Sequence, residues 1–174
     1  MKKITHLVVI LCVLFCACRK PEIYSDIPEI KFISFEKYQE YLHGNVLECG
    51  ELTFYFQDGD GDIGLNDTDN YPPFDTASIY HCNFFCDYYE KRNGVFIKID
   101  SVKTPAGISP FNLNARFPRL SKLPEESING EIRLKMPFYY DIFSPYDTIK
   151  LKFHIVDRKL NQSNVEEVVV VVSI

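Results

Sequence analysis

Apolar and polar residues alternate with period two along much of the chain, and this pattern predicts β-strands with one buried face. Two segments show it most clearly, 47–57 and 147–156. In the first, the residues predicted to face inward are Leu52, Phe54 and Phe56. In the second they are Ile149, Leu151, Phe153 and Ile155, with Lys150, Lys152 and His154 facing outward.

Further strands are predicted over 30–35, 78–90, 95–102, 130–136 and 165–174. In 78–90, Tyr80, Cys82, Phe84, Cys86 and Tyr88 share one face, and the valine run of 165–174 is typical of a strand covered on both faces. Asn93-Gly94 between two of these segments is a strong signal for a two-residue hairpin turn.

The remaining segments divide into one helix and several connections. Residues 36–43 are predicted as one short helix, 105–110 as a loop, and 111–120 as an extended segment with Pro118 at a sheet edge. About seven strands with turn-rich connections indicate an all-β chain, an antiparallel immunoglobulin-like β-sandwich. A small β-barrel is the alternative.

The N-terminus has the features of a targeting signal. Lys2 and Lys3 precede an apolar run over 7–17 that is too short to span a bilayer. Cys18 follows the small residue Ala17, which resembles the lipidation site of a bacterial lipoprotein; a plain secretory signal is the alternative. The predicted organisation is therefore a lipoprotein signal peptide over 1–17, the lipidated cysteine and a tether over 18–27, and a β-sandwich domain over 28–174.

The net charge of the mature chain argues against negatively charged partners. Removal of residues 1–17 leaves 17 Lys and Arg, two fewer than the 19 of the full chain, against 24 Asp and Glu, a formal charge of −7. Nucleic acids and anionic lipids both require a basic surface, so neither is expected to bind. Attachment to the membrane is expected through the acyl chains alone.

An aspartate-rich loop follows the strand 47–57 and fits the spacing of a calcium-binding loop. Its carboxylate, amide and backbone oxygens recur about every second residue, and oxygens spaced in this way suit a hard cation. The candidate metal ligands are Asp58, Asp60, Asp62, Gly64, Asn66 and Asp69. The EF-hand has glycine at its sixth position, but here Ile63 occupies it, and no helix flanks the loop. Ile63 is expected to be a core residue, and an Asp/Gly turn without metal remains the alternative.

A second loop is expected beside the first. If 52–57, 78–90, 147–156 and 165–174 are the second, third, sixth and seventh strands of an immunoglobulin-like sandwich, the loops 58–69 and 157–164 lie at the same end. The second loop contains Asp157, Arg158 and Asn161. Arg158 is then the cation best placed to neutralise the aspartates. If it does so the metal hypothesis weakens, and if it points away calcium is favoured.

Three cysteines remain after Cys18, and they leave two interpretations open. Cys82 and Cys86 lie four residues apart in a predicted strand, about 13 Å, which is too far for a disulfide. Cys49 could pair with either of them, or all three could be buried free thiols.

Three segments resemble a known family. They are 54–64 (FYFQDGDGDIG), 87–94 (DYYEKRNG) and 156–164 (VDRKLNQSN). Together they are similar to small uncharacterised lipoproteins of the bacterial cell envelope, and the third is also similar to the last hairpin of many bacterial immunoglobulin-like domains. Lys159-Leu160 stands where that turn has Ala-Gly. The resemblance implies a lipid-anchored β-sandwich without an established activity.

No catalytic constellation is predicted, because the histidines are scattered and Ser163 lacks a paired base. We therefore expect a non-enzymatic envelope protein, most simply in the outer membrane on its periplasmic side or at the cell surface. Its predicted role is structural or adhesive, through a protein or glycan partner. The alternative is an accessory component of an envelope hydrolase or transport system that binds a glycan or nutrient. Exposed aromatics such as Tyr71, Phe74, Tyr139, Tyr140 and Tyr146 could stack on sugar rings.

Overall fold

A computed structural model of the protein describes residues 24–42, 45–104, 106–121, 126–137 and 146–171. The described part is all-β, as predicted, with one 3-10 turn at Ile79–His81 and no α-helix. The strands are β1 (Glu29–Leu42), β2 (Asn45–Asp58), β3 (Phe84–Arg92), β4 (Val95–Lys98), β5 (Ser101–Thr104), β6 (Gly107–Pro110), β7 (Ile128–Pro137), β8 (Thr148–Ile155) and β9 (Glu166–Val171). None of the described residues forms a helix with the length and hydrophobicity needed to cross a bilayer.

Two antiparallel sheets enclose the core. One has the strand order β1-β2-β7 and the other β4-β3-β8-β9, while β5 and β6 form a separate hairpin. The ring of Phe54 on β2 lies 5.8 Å from that of Phe84 and 5.5 Å from that of Phe153, both on the other sheet. These aromatic contacts join the two sheets as the layers of a sandwich.

The predicted inward faces of the two most regular strands are confirmed. Leu52, Phe54 and Phe56 on β2 are buried, and Ile149, Leu151, Phe153 and Ile155 on β8 are fully buried. On β8 the buried residues alternate with half-buried ones along the whole strand. Burial of these side chains is the main contribution to the stability of the fold.

The predicted hairpin turn is also confirmed. Arg92 pairs with Val95, so Asn93 and Gly94 alone form the loop. Their φ angles are +50° and +83°, the left-handed backbone that a type I′ turn requires at both positions.

The prediction of a helix over 36–43 is wrong. β1 continues as a strand to Leu42 and pairs with β2 along its length, from Glu29 opposite Gln57 to Leu42 opposite Asn45. The local helical tendency of this segment is overridden by the hydrogen bonds and packing that β2 supplies.

Other predicted boundaries also change. The segment 78–90 becomes a strand only from Phe84, so Tyr80 and Cys82 are not part of it, while Phe84, Cys86 and Tyr88 share a buried face. The segment 95–102 divides between β4 and β5, and β5 pairs with β6 inside the predicted loop 105–110. Residues 111–120 contain no strand, only an isolated bridge from Ala115 to Phe84.

The valine-rich strand β9 is not covered on both faces. It lies at the edge of its sheet, and Val169 and Val171 are 54% and 62% exposed, whereas the alternate residues are half-buried. No second layer packs on the outer face of β9 among the described residues, which explains the difference. Residues 172–174 of the predicted strand lie outside the described residues.

Loop 58–69 and loop 157–164 lie at the same end of the sandwich, as predicted. β3 begins at Phe84 opposite Ile155 at the end of β8, and the carboxylate of Asp58, the last residue of β2, lies close to that of Asp157. The backbone N–H of Arg158 donates to Asp62 Oδ1 at 3.4 Å. We call this end, with its loops 58–69 and 157–164, the loop end. In the predicted tether, the carbonyl of Ser25 accepts a hydrogen bond from the N–H of Gly59 at the loop end, and Pro28 beyond it is fully buried.

Candidate metal centre

Three carboxylates from the two loops converge at the loop end. Asp58 is the last residue of β2, Asp62 lies four residues further along the chain, and Asp157 follows closely after β8. One oxygen atom from each lies within 4.8 Å of the others. The fold therefore brings together side chains almost 100 residues apart in sequence.

Two of these carboxylates are inaccessible to solvent, since Asp58 is 0% and Asp157 is 2% exposed. Asp58 Oδ2 accepts a hydrogen bond from the backbone N–H of Asp62 at 2.9 Å, but Asp58 Oδ1 has no hydrogen-bond partner. An unpaired carboxylate oxygen in a buried position is costly. This atom is the strongest indication that the cluster accommodates a ligand.

Asp157 is held in place by its own loop. Its Oδ1 accepts from the backbone N–H of Asn161 at 2.7 Å, and its Oδ2 accepts from the side-chain amide of Asn161 at 2.8 Å. The predicted loop residue Asn161 therefore orients one of the three carboxylates.

The local electrostatics disfavour three ionised carboxylates. Burial, followed by the charge of Asp60, raises the pKa of Asp58 to about 7. Burial, followed by the charges of Asp157 and Asp60, raises the pKa of Asp62 to about 6, and burial also raises the pKa of Asp157. A cation at this point would relieve both the repulsion and the loss of solvation.

Two other aspartates of the loop already have cationic partners. Arg158 binds Asp69, with one terminal nitrogen 3.2 Å from Oδ1 and the other bonded to Oδ2, and this pair lowers the pKa of Asp69. Lys159 binds Asp60 Oδ2, while the buried Oδ1 of Asp60 has no partner. The cationic side chains of this end therefore neutralise Asp60 and Asp69. The neighbouring triad of Asp58, Asp62 and Asp157 forms no such ion pair among the described residues.

The six residues of the calcium frame do not converge on one point. Asp58 and Asp62 belong to the cluster, and Asp60 and Asp69 bind Lys159 and Arg158. Asn66 is exposed, and its backbone N–H donates to Asp69 Oδ2 at 2.7 Å.

The middle of the loop is packed on the rest of the fold. Ile63 is fully buried in the core, as predicted. Gly64 has φ +93°, and a Cβ there would lie 2.1 Å from the carbonyl oxygen of Pro118, so a side chain does not fit.

The long connection between β2 and β3 is held by residues that the sequence did not point to. The guanidinium of Arg116 donates to the carbonyl oxygens of His81 at 2.8 Å, Asn66 at 2.9 Å and Asp69 at 2.8 Å. Buried Asn83 bonds both the N–H and the carbonyl of Phe117 at 2.9 Å. Nothing in the local sequence signals these contacts, because the partners are distant along the chain.

The turn before β9 connects β8 to β1 through side-chain hydrogen bonds. The hydroxyl of Ser163 accepts from the backbone N–H of Ile155 at 3.1 Å. The side chain of Asn164 bonds both the N–H and the carbonyl of Ile30 on β1, each at 2.8 Å. These polar residues thus have structural roles beside the carboxylate cluster.

The donor set suits a hard cation. The three side chains offer one carboxylate oxygen each, within 4.8 Å of one another, and calcium and magnesium both bind oxygen ligands. Calcium takes six to eight oxygens in a flexible geometry, whereas magnesium requires a stricter octahedron and usually keeps several waters.

The other predicted sites are distributed as follows. Cys18, Tyr139 and Tyr140 lie outside the described residues. Cys82 and Cys86 are free thiols, and Cys49 is buried, with its Sγ 3.9 Å from Glu40 Oε2. Tyr71 is exposed, Phe74 is buried under the guanidinium of Arg158, and Tyr146 lies under that of Arg92.

Comparison of the chain with protein-family models, with curated proteins and with solved structures gives no match.

Proposed function

We propose that this protein is a lipid-anchored, non-enzymatic β-sandwich module of the bacterial cell envelope, stabilised by calcium where its two end loops meet. The observation that carries the calcium part is the buried Asp58 Oδ1, which has no hydrogen-bond partner in a cluster of three carboxylates. The proposed immunoglobulin-like architecture is supported by the strand orders β1-β2-β7 and β4-β3-β8-β9.

Charge and chemistry both support a hard divalent cation. The charged groups of Arg158 and Lys159 form their ion pairs with Asp69 and Asp60, which lie outside the triad. The triad offers only oxygen ligands, without the sulfur or imidazole that zinc prefers. An ion bound here would join the end of β2 to the connection between β8 and β9, and so link the two sheets.

Calorimetric titration of the mature chain with calcium tests this function. We expect saturable binding by the wild type and loss of that binding in Asp58→Asn, which removes a ligand charge at nearly constant shape. Asp67→Asn is the matched control, because Asp67 lies exposed in the same loop, and it should bind as the wild type does. Absence of heat with the wild type, or unchanged binding by Asp58→Asn, would remove calcium from the proposal.

The envelope location is supported by the N-terminal sequence, with its basic start, short apolar run and Cys18 after Ala17. The role proposed for such a module is to present its surface to a protein or glycan partner. Affinity capture from native envelopes, with and without chelator, would identify that partner and report whether the calcium site influences its binding.

A further inference from the structure

The N-terminal segment is attached directly to the loop end. The carbonyl of Ser25 accepts a hydrogen bond from the N–H of Gly59 at 2.7 Å, and the hydroxyl of Tyr24 accepts from the side-chain amide of Asn129 at 3.1 Å. Pro28 is fully buried. The chain therefore enters the sandwich at one defined place.

The contact with Gly59 is very close. A Cβ at this position would lie 2.4 Å from the carbonyl oxygen of Tyr24 and 2.8 Å from the carbonyl carbon of Ser25. Only glycine allows the loop backbone and the entering segment to approach in this way. Because Gly59 follows Asp58, the segment lies beside the candidate metal centre.

The opposite end of the sandwich is far from this point. β3 begins at Phe84 near the loop end, and its nine residues lead to Arg92 and the Asn93-Gly94 turn. At the usual rise per residue this strand spans about 30 Å. We call the end formed by the Asn93-Gly94 turn and Val95 the distal end.

The proposed anchor cannot reach the distal end. Tyr24 lies six residues after Cys18, and six residues fully extended span about 20 Å at most. The lipid surface must therefore lie within that distance of Tyr24, which is less than the length of β3.

We propose that the loop end faces the lipid surface that carries the anchor. The candidate metal centre is then membrane-proximal, and the distal end projects away from the lipid and is the surface open to a partner in the envelope. This inference rests on the proposed lipid anchor and adds an orientation to it.

The orientation is tested with the lipidated protein in phospholipid vesicles that contain a headgroup-linked spin label as quencher. A fluorophore is placed on Thr68→Cys in the loop end or on Val95→Cys in the distal end, both exposed positions. Cys82 is replaced by serine in both proteins, because it is the partly accessible native thiol among the three described cysteines. We expect the label at position 68 to lose fluorescence and the label at position 95 to retain it.

A flexible Gly/Ser insert between Cys18 and Tyr24 provides the control. It lengthens the tether without changing the sandwich, so it should reduce the difference between the two labels. Equal loss at both positions without the insert would indicate a sandwich lying on its side, and greater loss at position 95 an inverted one; either overturns the orientation. Failure of the protein to float with vesicles would overturn the anchor, and the orientation with it.

Discussion

Arg158 binds Asp69 through both terminal nitrogens of its guanidinium group, although 89 residues separate the two along the chain. This pair answers the question that the sequence left open about Arg158. It lies among the aspartates of the loop, but it neutralises Asp69 and leaves Asp58, Asp62 and Asp157 together. The loop therefore has one carboxylate bound to arginine and a separate carboxylate cluster suited to a metal.

Loss of this pair should be costly. Arg158→Met leaves the buried carboxylate of Asp69 without its main partner, and we expect the free energy of unfolding to fall by about 2–4 kcal/mol. Denaturant unfolding of the wild type and the variant measures this difference in free energy. Arg133→Met is the control, since Arg133 and Glu131 are both exposed and 3.7 Å apart, and it should cost less than about 1 kcal/mol. Equal losses in the two variants would contradict a special role for Arg158.

Without metal, stability should depend on pH through Asp58. Its pKa is raised from 3.8 to about 7 in the folded protein, so its contribution is fully present below pH 4 and is lost as the pH rises through 7. The loss should be on the order of a few kcal/mol, at about 1.4 kcal/mol per pKa unit. Asp69, whose pKa is lowered, acts in the opposite direction at pH values below about 4.

This pH dependence is measured by denaturant unfolding in chelator between pH 4 and pH 8. Stability should decrease toward pH 8. Asp58→Asn should reduce the decrease and leave the part that comes from Asp62 and Asp157, whose pKa values are also raised, whereas Asp67→Asn should not change it. Saturating calcium should restore stability at pH 8. A flat profile for the wild type in chelator would show that Asp58 is not an unfavourable buried charge.

The Asn93-Gly94 turn provides a test of backbone geometry alone. A Cβ at Gly94 meets no atom within 4 Å, so a substitution acts only through the backbone, which has φ +83°. Gly94→Val should lower the free energy of unfolding by about 1–3 kcal/mol. Gly94→Asn tolerates positive φ and should cost much less. Thermal unfolding separates the two, and an unchanged melting temperature for Gly94→Val would argue against the turn.

The lipid anchor is tested at Cys18. Cys18→Ala should leave the protein unlipidated, so that it appears in the soluble fraction after carbonate washing of membranes. Metabolic labelling with a fatty acid gives a direct second measurement. Complete retention of the variant with membranes would mean that attachment does not depend on this cysteine.

Much of the fold could be predicted locally. The alternation in β2 and β8 identifies the core because one face of each strand is buried, and Asn93-Gly94 identifies the hairpin because its backbone conformation is intrinsic to those residues. The burial of Ile63 within the acidic loop was also predictable, since exposure of a large apolar side chain to water is unfavourable.

Other features depend on partners that are distant in sequence. Residues 36–42 form a strand because β2 pairs with them, and β9 is half-exposed because it lies at a sheet edge. The spacing of the aspartates identified an oxygen-rich loop, but it could not show that Arg158 would take Asp69, that Lys159 would take Asp60, or that Asp157 would join Asp58 and Asp62. Charges in one loop interact with whatever the fold places beside them, and that placement follows from the packing of the two sheets.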